Sequence, residues 1–456
     1  MALNNTNVLE ILRVNCDLRE RAKKIQLDEG YGSVSSWHAK NIYHYLNSEK
    51  GTSHILEVVK GNVSPNGFFI QSGSEVFYFS GTFLRSRLVF LRFISTSGFE
   101  LFLVQFLNGL VGSFSFSDSK ACLFKRGDGY KAWVSAFLEV AYRDLDGFKK
   151  YLESEKVFYG LLLNTEVRPS HFFYEMLCPI VNKGVCDIVT SPSRHVYWKK
   201  TDFIDTSKIL GGGSEMLVVD WGEFSAECIH ENRVVFQPGF WVWGAYNKKS
   251  NFIDKALRDA AYPLSFYSDE GRPVIWLSVL SEEKAWVEQN DTYSKIISDV
   301  LEMGYEPVVI FDGITRTCSE SYLPYSKKRK DVEDIQRKVG QYFEFIDIHG
   351  FTAEEKISFA MLSDIFIASM GTDSMYPSRI AGKPGVVHCS PDISMFGKHV
   401  YSEGTYKTNP ASSNYLDGQD DLRPDKRSYS IKEGVVEGLF WSCWEKVKTK
   451  REVNDG

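Results

Sequence analysis

Residues 351–391, FTAEEKISFAMLSDIFIASMGTDSMYPSRIAGKPGVVHCSP, decide the fold. Residues 354–362 have helical spacing, with Ile357, Phe359, Ala360 and Met361 setting an apolar face, and DIFIA at 364–368 reads as a buried strand. Ser369, Met370 and Gly371 form a turn. Thr372, Asp373 and Ser374 are good N-cap residues for a second helix through Arg379, which Gly382 and Pro384 stop before Val386 and Val387 open another strand. In an open α/β sheet such a glycine turn lies at the carboxyl end of its strand, where helix N-terminal amides favour a phosphate. Any βαβ unit needs a glycine turn and a cap, however, and neither a G-x-G-x-x-G nor a P-loop signature is present.

The alternation continues upstream. VIWLSVL at 274–280 is a strand pattern, AWVEQNDTYSKIISDVLEMG at 285–304 an amphipathic helix, EPVVIFDG at 306–313 a strand, 330–342 a helix and FEFIDIHG at 343–350 a strand. Strands alternating with helices through Val387 predict a doubly wound parallel sheet, placed at residues 271–425. Its carboxyl-end turns at 278–286, 312–316, 349–352 and 371–374 then converge on one crevice. A second Rossmann-like unit is expected over 153–270. There VFYGLLLN at 157–164 is a continuous apolar run suited to a parallel strand covered on both faces, and residues 216–220 form another buried-strand pattern.

Ahead of it, residues 1–152 are expected to be a helical and β-rich extension. HILEVV, GFFIQS, EVFYFSG, LVFLRFI, FELFLVQFL and VGSFSFS, between residues 54 and 117, predict an antiparallel meander with one half-buried face, followed by a helix over 131–152. Asp144, Leu145 and Asp146 spell D-x-D, but inside a helical pattern. A last helical stretch at 426–456 is expected to pack back on the first lobe, its basic amphipathic character leaving contact with a membrane surface as the alternative.

Composition sets bounds. The chain has 456 residues, 43% hydrophobic and 25% charged, with a formal net charge of -6 that gives no footprint for nucleic acid. Its eight cysteines form no C-x-x-C pair, which fits reduced thiols, and no zinc or other metal site is predicted. The start lacks the basic-then-apolar order of a signal peptide, and no apolar run is long enough to span a bilayer. The expected location is cytoplasmic, with the inner face of the membrane as a place of peripheral association.

Gly371-Thr372-Asp373-Ser374-Met375-Tyr376, followed by Gly382-Lys383-Pro384, resembles the donor-domain motif of GT-B glycosyltransferases of bacterial surface-polysaccharide synthesis, above all the heptosyltransferase type. In that family a small Thr-Gly turn leads to a short helix and then Gly-Lys-Pro before a Val-rich strand. Here Asp373 stands where the family usually has Gly, and Tyr376 where it usually has His. The resemblance implies two Rossmann-like lobes and transfer of a sugar from a nucleotide-sugar, which is substrate rather than resident cofactor, to a glycan or lipid-linked acceptor. Retaining members of the common type carry two glutamates around this turn, and residues 371–391 contain none, so an inverting, metal-independent displacement is implied.

Carried over by position, the donor contacts are Lys284, Asp312, Arg316, Thr352, Gly371, Thr372, Asp373, Ser374 and Lys383. His171, at the turn after the 157–164 strand, is the first candidate for the base, because a His titrates near neutral pH; Asp220 and Glu223, which follow a strand, are the other acid/base candidates. Arg168 suits an anionic group on the acceptor, and Trp241 and Trp243 could stack on a sugar ring. Two other functions fit the same residues: a nucleotide-sugar epimerase, or a non-catalytic carbohydrate- or nucleotide-binding module on a degenerate transferase fold. Oligomeric state is not legible.

Overall fold

The computed structural model describes residues 23–29, 32–59, 61–85, 88–106, 109–124, 129–163, 169–178, 194–198, 203–210, 215–237, 250–262, 264, 272–279, 286–318, 326–391, 405–419, 421 and 427–454. These form a mixed α/β protein with several sheets. By its contacts the chain divides into two compact units, residues 1–167 with 171–250, and residues 168–170 with 251–456.

The first unit opens with the meander. Strands β1 (Gln26–Leu27), β2 (Phe69–Ser72), β3 (Glu75–Arg85), β4 (Leu88–Ser95), β5 (Glu100–Phe106), β6 (Gly109–Ser115) and β7 (Lys120–Leu123) lie in the order β1-β7-β6-β5-β4-β3-β2. All neighbours are antiparallel except β1, which runs parallel to β7. The expected half-buried face is corrected: β4 and β5 are buried at almost every residue, so this sheet is covered on both sides. Phe137, from the helix Tyr130–Arg143, sits 4.6 Å from the ring of Phe102, which itself stacks on its cross-strand partner Phe114 at 4.9 Å. A bulge in β3 at Gly81 turns the strand, with φ +149° and so little room that a Cβ would lie 2.9 Å from the Tyr151 hydroxyl.

Two local expectations fail here. HILEVV lies in the helix Glu49–Val59, because Ile55, Val58 and Val59 also satisfy helical spacing and are the residues buried. The single helix over 131–152 is two, Tyr130–Arg143 and Leu145–Glu153, broken at Asp144, whose Oδ1 accepts from Gly147 N at 3.0 Å as the second helix's N-cap. The D-x-D is thus a helix start.

A parallel sheet completes the unit: β8 (Val157–Leu163), β9 (Arg194–Trp198), β10 (Glu215–Val219) and β11 (Arg233–Phe236), in the order β10-β9-β8-β11. It is tied to the meander: Val235 N donates to Thr82 Oγ1 at 3.2 Å, and the Tyr151 hydroxyl accepts from Thr82 N at 3.1 Å. Residue 152, expected as a domain boundary, therefore falls within one unit, and the units divide at residue 250 instead of 270.

Lys156 is buried beside this seam. Its Nζ donates to the carbonyl of Tyr151, in the last turn of the preceding helix, and to that of Ser154, the helix's C-cap. Burial, with the Arg92 guanidinium nearby, lowers its ammonium to about 7 from 10.5. Between those two values the unfolded chain binds a proton that the folded chain does not, so this residue makes stability rise with pH across that window and costs most below it. Lys156→Met should therefore unfold at higher urea at pH 6.5, by about 1–3 kcal/mol, with the gain shrinking towards pH 10.

The second unit holds β12 (Val274–Ser278), β13 (Val308–Asp312), β14 (Glu344–Asp347), β15 (Ile365–Ser369), β16 (Gly385–His388) and β17 (Tyr406–Lys407), all parallel, in the order β14-β13-β12-β15-β16-β17. Counted from its own first strand, this is the doubly wound order of dinucleotide-binding sheets. Every residue of β12, β13, β15 and β16 is buried, as the unbroken apolar runs require. The final helix Val435–Asn454 places Val436, Phe440, Cys443 and Trp444 in the core of this same unit, against Val386 and Ile367, where the sequence suggested packing on the first lobe. Among the described residues, no helix is long and apolar enough to cross a membrane.

Candidate functional site

In the second unit β12 and β15 lie side by side while the chain leaves them in opposite directions. That makes the space beyond their carboxyl ends, at Ser278 and Ser369, the topological switch point where such sheets hold ligands. The glycine turn stands there. Gly371 has φ +156° and ψ −148°, a region open only to glycine, and a Cβ built on it would meet nothing within 4 Å. Backbone conformation fixes the residue, and the space before it is free.

Around it the turn is braced. Ser369 Oγ donates to Asp373 Oδ2 at 2.7 Å, Ser374 Oγ donates to Gly371 O at 3.1 Å, and Thr372 Oγ1 lies 3.2 Å from Ser170 Oγ. The helix expected through Arg379 is α-helical only over Thr372–Ser374 and continues as a π-helix over Met375–Ile380, and its N-cap is Gly371. Pro377, which has no N–H to give to the α-helical ladder, sits within the widened turn.

Two neighbouring turns join it. Tyr376 is buried with its hydroxyl 3.0 Å from Thr315 Oγ1, and burial holds its phenol well above the usual range. Lys356, wholly buried on the helix Ala353–Leu362, gives its ammonium to Asp312 Oδ1 (2.5 Å), Gly313 O (2.7 Å) and Ile314 O (3.0 Å). Burial raises the Asp312 carboxyl above its ordinary range, against the lowering pull of Lys356. Arg316 N donates to Phe351 O, and its guanidinium lies 3.6 Å from Glu355 Oε2, which also accepts from Thr352 N (2.7 Å) and Thr352 Oγ1 (2.9 Å) in a capping box.

The sequence candidates therefore separate. Gly371, Thr372, Asp373 and Ser374 stand at the switch point, with Asp312, Arg316 and Thr352 on adjoining turns. Asp312 is spent on Lys356, and Thr352 and Arg316 share Glu355. Lys383 is elsewhere: it precedes β16 and so lies at the amino edge of the sheet, one strand length of roughly 15 Å from the turn. Asp220 is the exposed N-cap of the helix Trp221–His230, accepting from Gly222 N at 2.8 Å, and Glu223 is exposed in its first turn. Both follow β10, the edge strand, two places from the β8/β11 junction where that sheet has its own switch point. His171 ends the short helix Pro169–His171. Arg168, Trp241, Trp243 and Lys284 lie outside the described residues.

Lys356 and Ser170 were not legible as site residues. Lys356 reads as the exposed side of an amphipathic helix, yet that side is inward, and Met361, read as apolar face, is exposed. A concavity of about 590 Å³ in the first unit, lined by Lys23, Ile25 and the helix Tyr130–Arg143, contains none of the candidates. Among the described residues no cluster of His, Cys, Asp and Glu could hold a metal ion.

No family model matches the sequence, and no curated protein matches it. A solved structure, a glycosyl transferase of family 9 from Veillonella parvula, is similar at 13% identity, with 55% of this chain and 85% of that chain covered and a TM-score of 0.33. A likeness that loose transfers neither a residue nor a reaction.

Proposed function

We propose that the second unit binds the diphosphate of a nucleotide-sugar at the carboxyl ends of β12 and β15, and that the protein is a glycosyltransferase using this donor. The supporting observation is Gly371: a turn in glycine-only geometry, with free space before it, at the switch point of a sheet in dinucleotide-binding order. The motif 371–376 with 382–384, similar to the donor motif of GT-B enzymes, names the ligand class. In the proposed displacement a base takes the acceptor hydroxyl proton, the new C–O bond forms, and the bond to the diphosphate breaks. The turn at 371–374 and Arg316 receive the departing charge. His171 is the proposed base. The acceptor is a glycan or lipid-linked glycan.

Asp373 favours a second function, a binding module without turnover, because its carboxylate stands in the turn where an anion would sit. Incubation with a panel of nucleotide-sugars, with and without glycan acceptors, separates them. Acceptor-dependent release of nucleoside diphosphate is expected, and His171→Ala should lower kcat about 10²–10⁴-fold with donor affinity unchanged. Donor binding with no release under any acceptor would support the module, and turnover of donor alone an epimerase.

A further inference from the structure

The helix Tyr130–Arg143 buries Phe137, Val140 and Ala141 against the meander, and along one flank of that face it carries a second apolar row. Tyr130, Val134, Leu138 and Tyr142 follow at four-residue spacing and so line up along the axis, which advances about 16 Å between Lys131 and Tyr142. Ile25, just ahead of β1, lines the same hollow, whose volume of about 590 Å³ is usual for a small-molecule site. Ile25 and Val134 are buried, so the floor is apolar; Lys23, Lys131, Ser135 and Glu139 stand exposed around it.

The charge of this rim is uneven. Glu139 is matched by Arg85, whose Nε donates to its Oε2 at 2.7 Å. The two ammonium groups, Lys23 and Lys131, belong to the same hollow. Lys131 is in the first turn of the helix, which contains no acidic residue and whose N-cap, Gly129, has no side chain to offer the leading amides. A cation there opposes the helix dipole, so helix stability does not account for it, and the two positive fields add for an incoming anion.

We infer that this slot binds a fatty carboxylate, its head at Lys131 and Lys23 and its chain along Val134, Leu138 and Ile25. Charge selects the anion. A row one side chain wide selects an unbranched body over a fused ring, and a peptide backbone would lay polar groups on a floor that cannot pair them. The slot lies wholly within the first unit and does not rest on the donor function proposed above.

Calorimetric titration of the full chain with decanoate, decanol and acetate, below the micelle concentration, tests the assignment. One decanoate per chain is expected, bound about tenfold more tightly than decanol, with no detectable binding of acetate. Lys131→Gln should weaken decanoate about 3–10-fold and leave decanol unchanged. Leu138→Asn should weaken both about tenfold. Neither side chain is fully buried, and melting curves check that both variants fold. Decanoate held no more tightly than decanol, wild-type affinity in Leu138→Asn, equal loss of both ligands in Lys131→Gln, or no binding by the wild type would overturn the inference. Sedimentation with phosphatidylglycerol vesicles in the absence of decanoate binding would overturn it too, assigning the two lysines to a membrane surface. The wild-type comparison of the three ligands decides even if a variant fails to fold.

Discussion

Lys356→Met is expected to cost about 3–5 kcal/mol of stability, the range for breaking a buried ion pair from one side. The substitution leaves Asp312 wholly buried without its counter-charge and strips a donor from the carbonyls of Gly313 and Ile314. The pH dependence has a definite sign. Burial already raises the Asp312 carboxyl above its unfolded value of 3.8, and Lys356 opposes that rise. Without the lysine the carboxyl rises further, so the folded state gains a proton over a wider window above 3.8 than the unfolded chain does. The defect should be greatest at neutral and higher pH and shrink as pH falls towards 5. Pairing Lys356→Met with Asp312→Leu should recover most of the loss at pH 7, since a matched apolar pair leaves no orphaned charge. Urea unfolding of wild type, single and double variants checks all three statements.

Gly371→Ala is the second large effect, and it falls mainly on binding. A non-glycine residue at φ +156° and ψ −148° costs about 1–3 kcal/mol of strain, most simply relieved by rotating the turn. A Cβ would strike no neighbouring atom, so the unit should still fold and melt in one transition, a few degrees lower. Rotation, however, misplaces the Thr372 hydroxyl, held 3.2 Å from Ser170, and the Ser369–Asp373 brace. Nucleoside diphosphate affinity should fall at least 100-fold, read by calorimetry, as expected when several hydrogen bonds to one anion are lost together.

How far the sequence reveals this arrangement depends on which interactions set each element. The parallel sheet of the second unit is legible because strands covered on both faces must be apolar throughout, and VIWLS, VVIFD and IFIAS are. β9 is not, since RHVYW is short and begins with two polar residues. HILEVV fits either period, and its burial against neighbours, not its own pattern, makes it helical. The glycine turn can be located from Gly371 alone, but its chemistry cannot: that Lys356 points inward to Asp312, or that Thr352 and Arg316 meet at Glu355, are outcomes of tertiary packing. Lys383 shows the opposite error, a motif position whose adjacency in sequence hides a full strand length of separation.

The central claim is that a diphosphate-bearing ligand occupies the carboxyl ends of β12 and β15. Hydrogen exchange followed by mass spectrometry, on the full chain with and without saturating UDP, ADP, GDP or CDP, tests it most directly. At least one nucleotide should slow exchange in the peptides covering residues 370–376 and 313–317, with no such protection in Gly371→Ala. Unchanged exchange in both segments with every nucleotide, or equal protection in the variant, would contradict it.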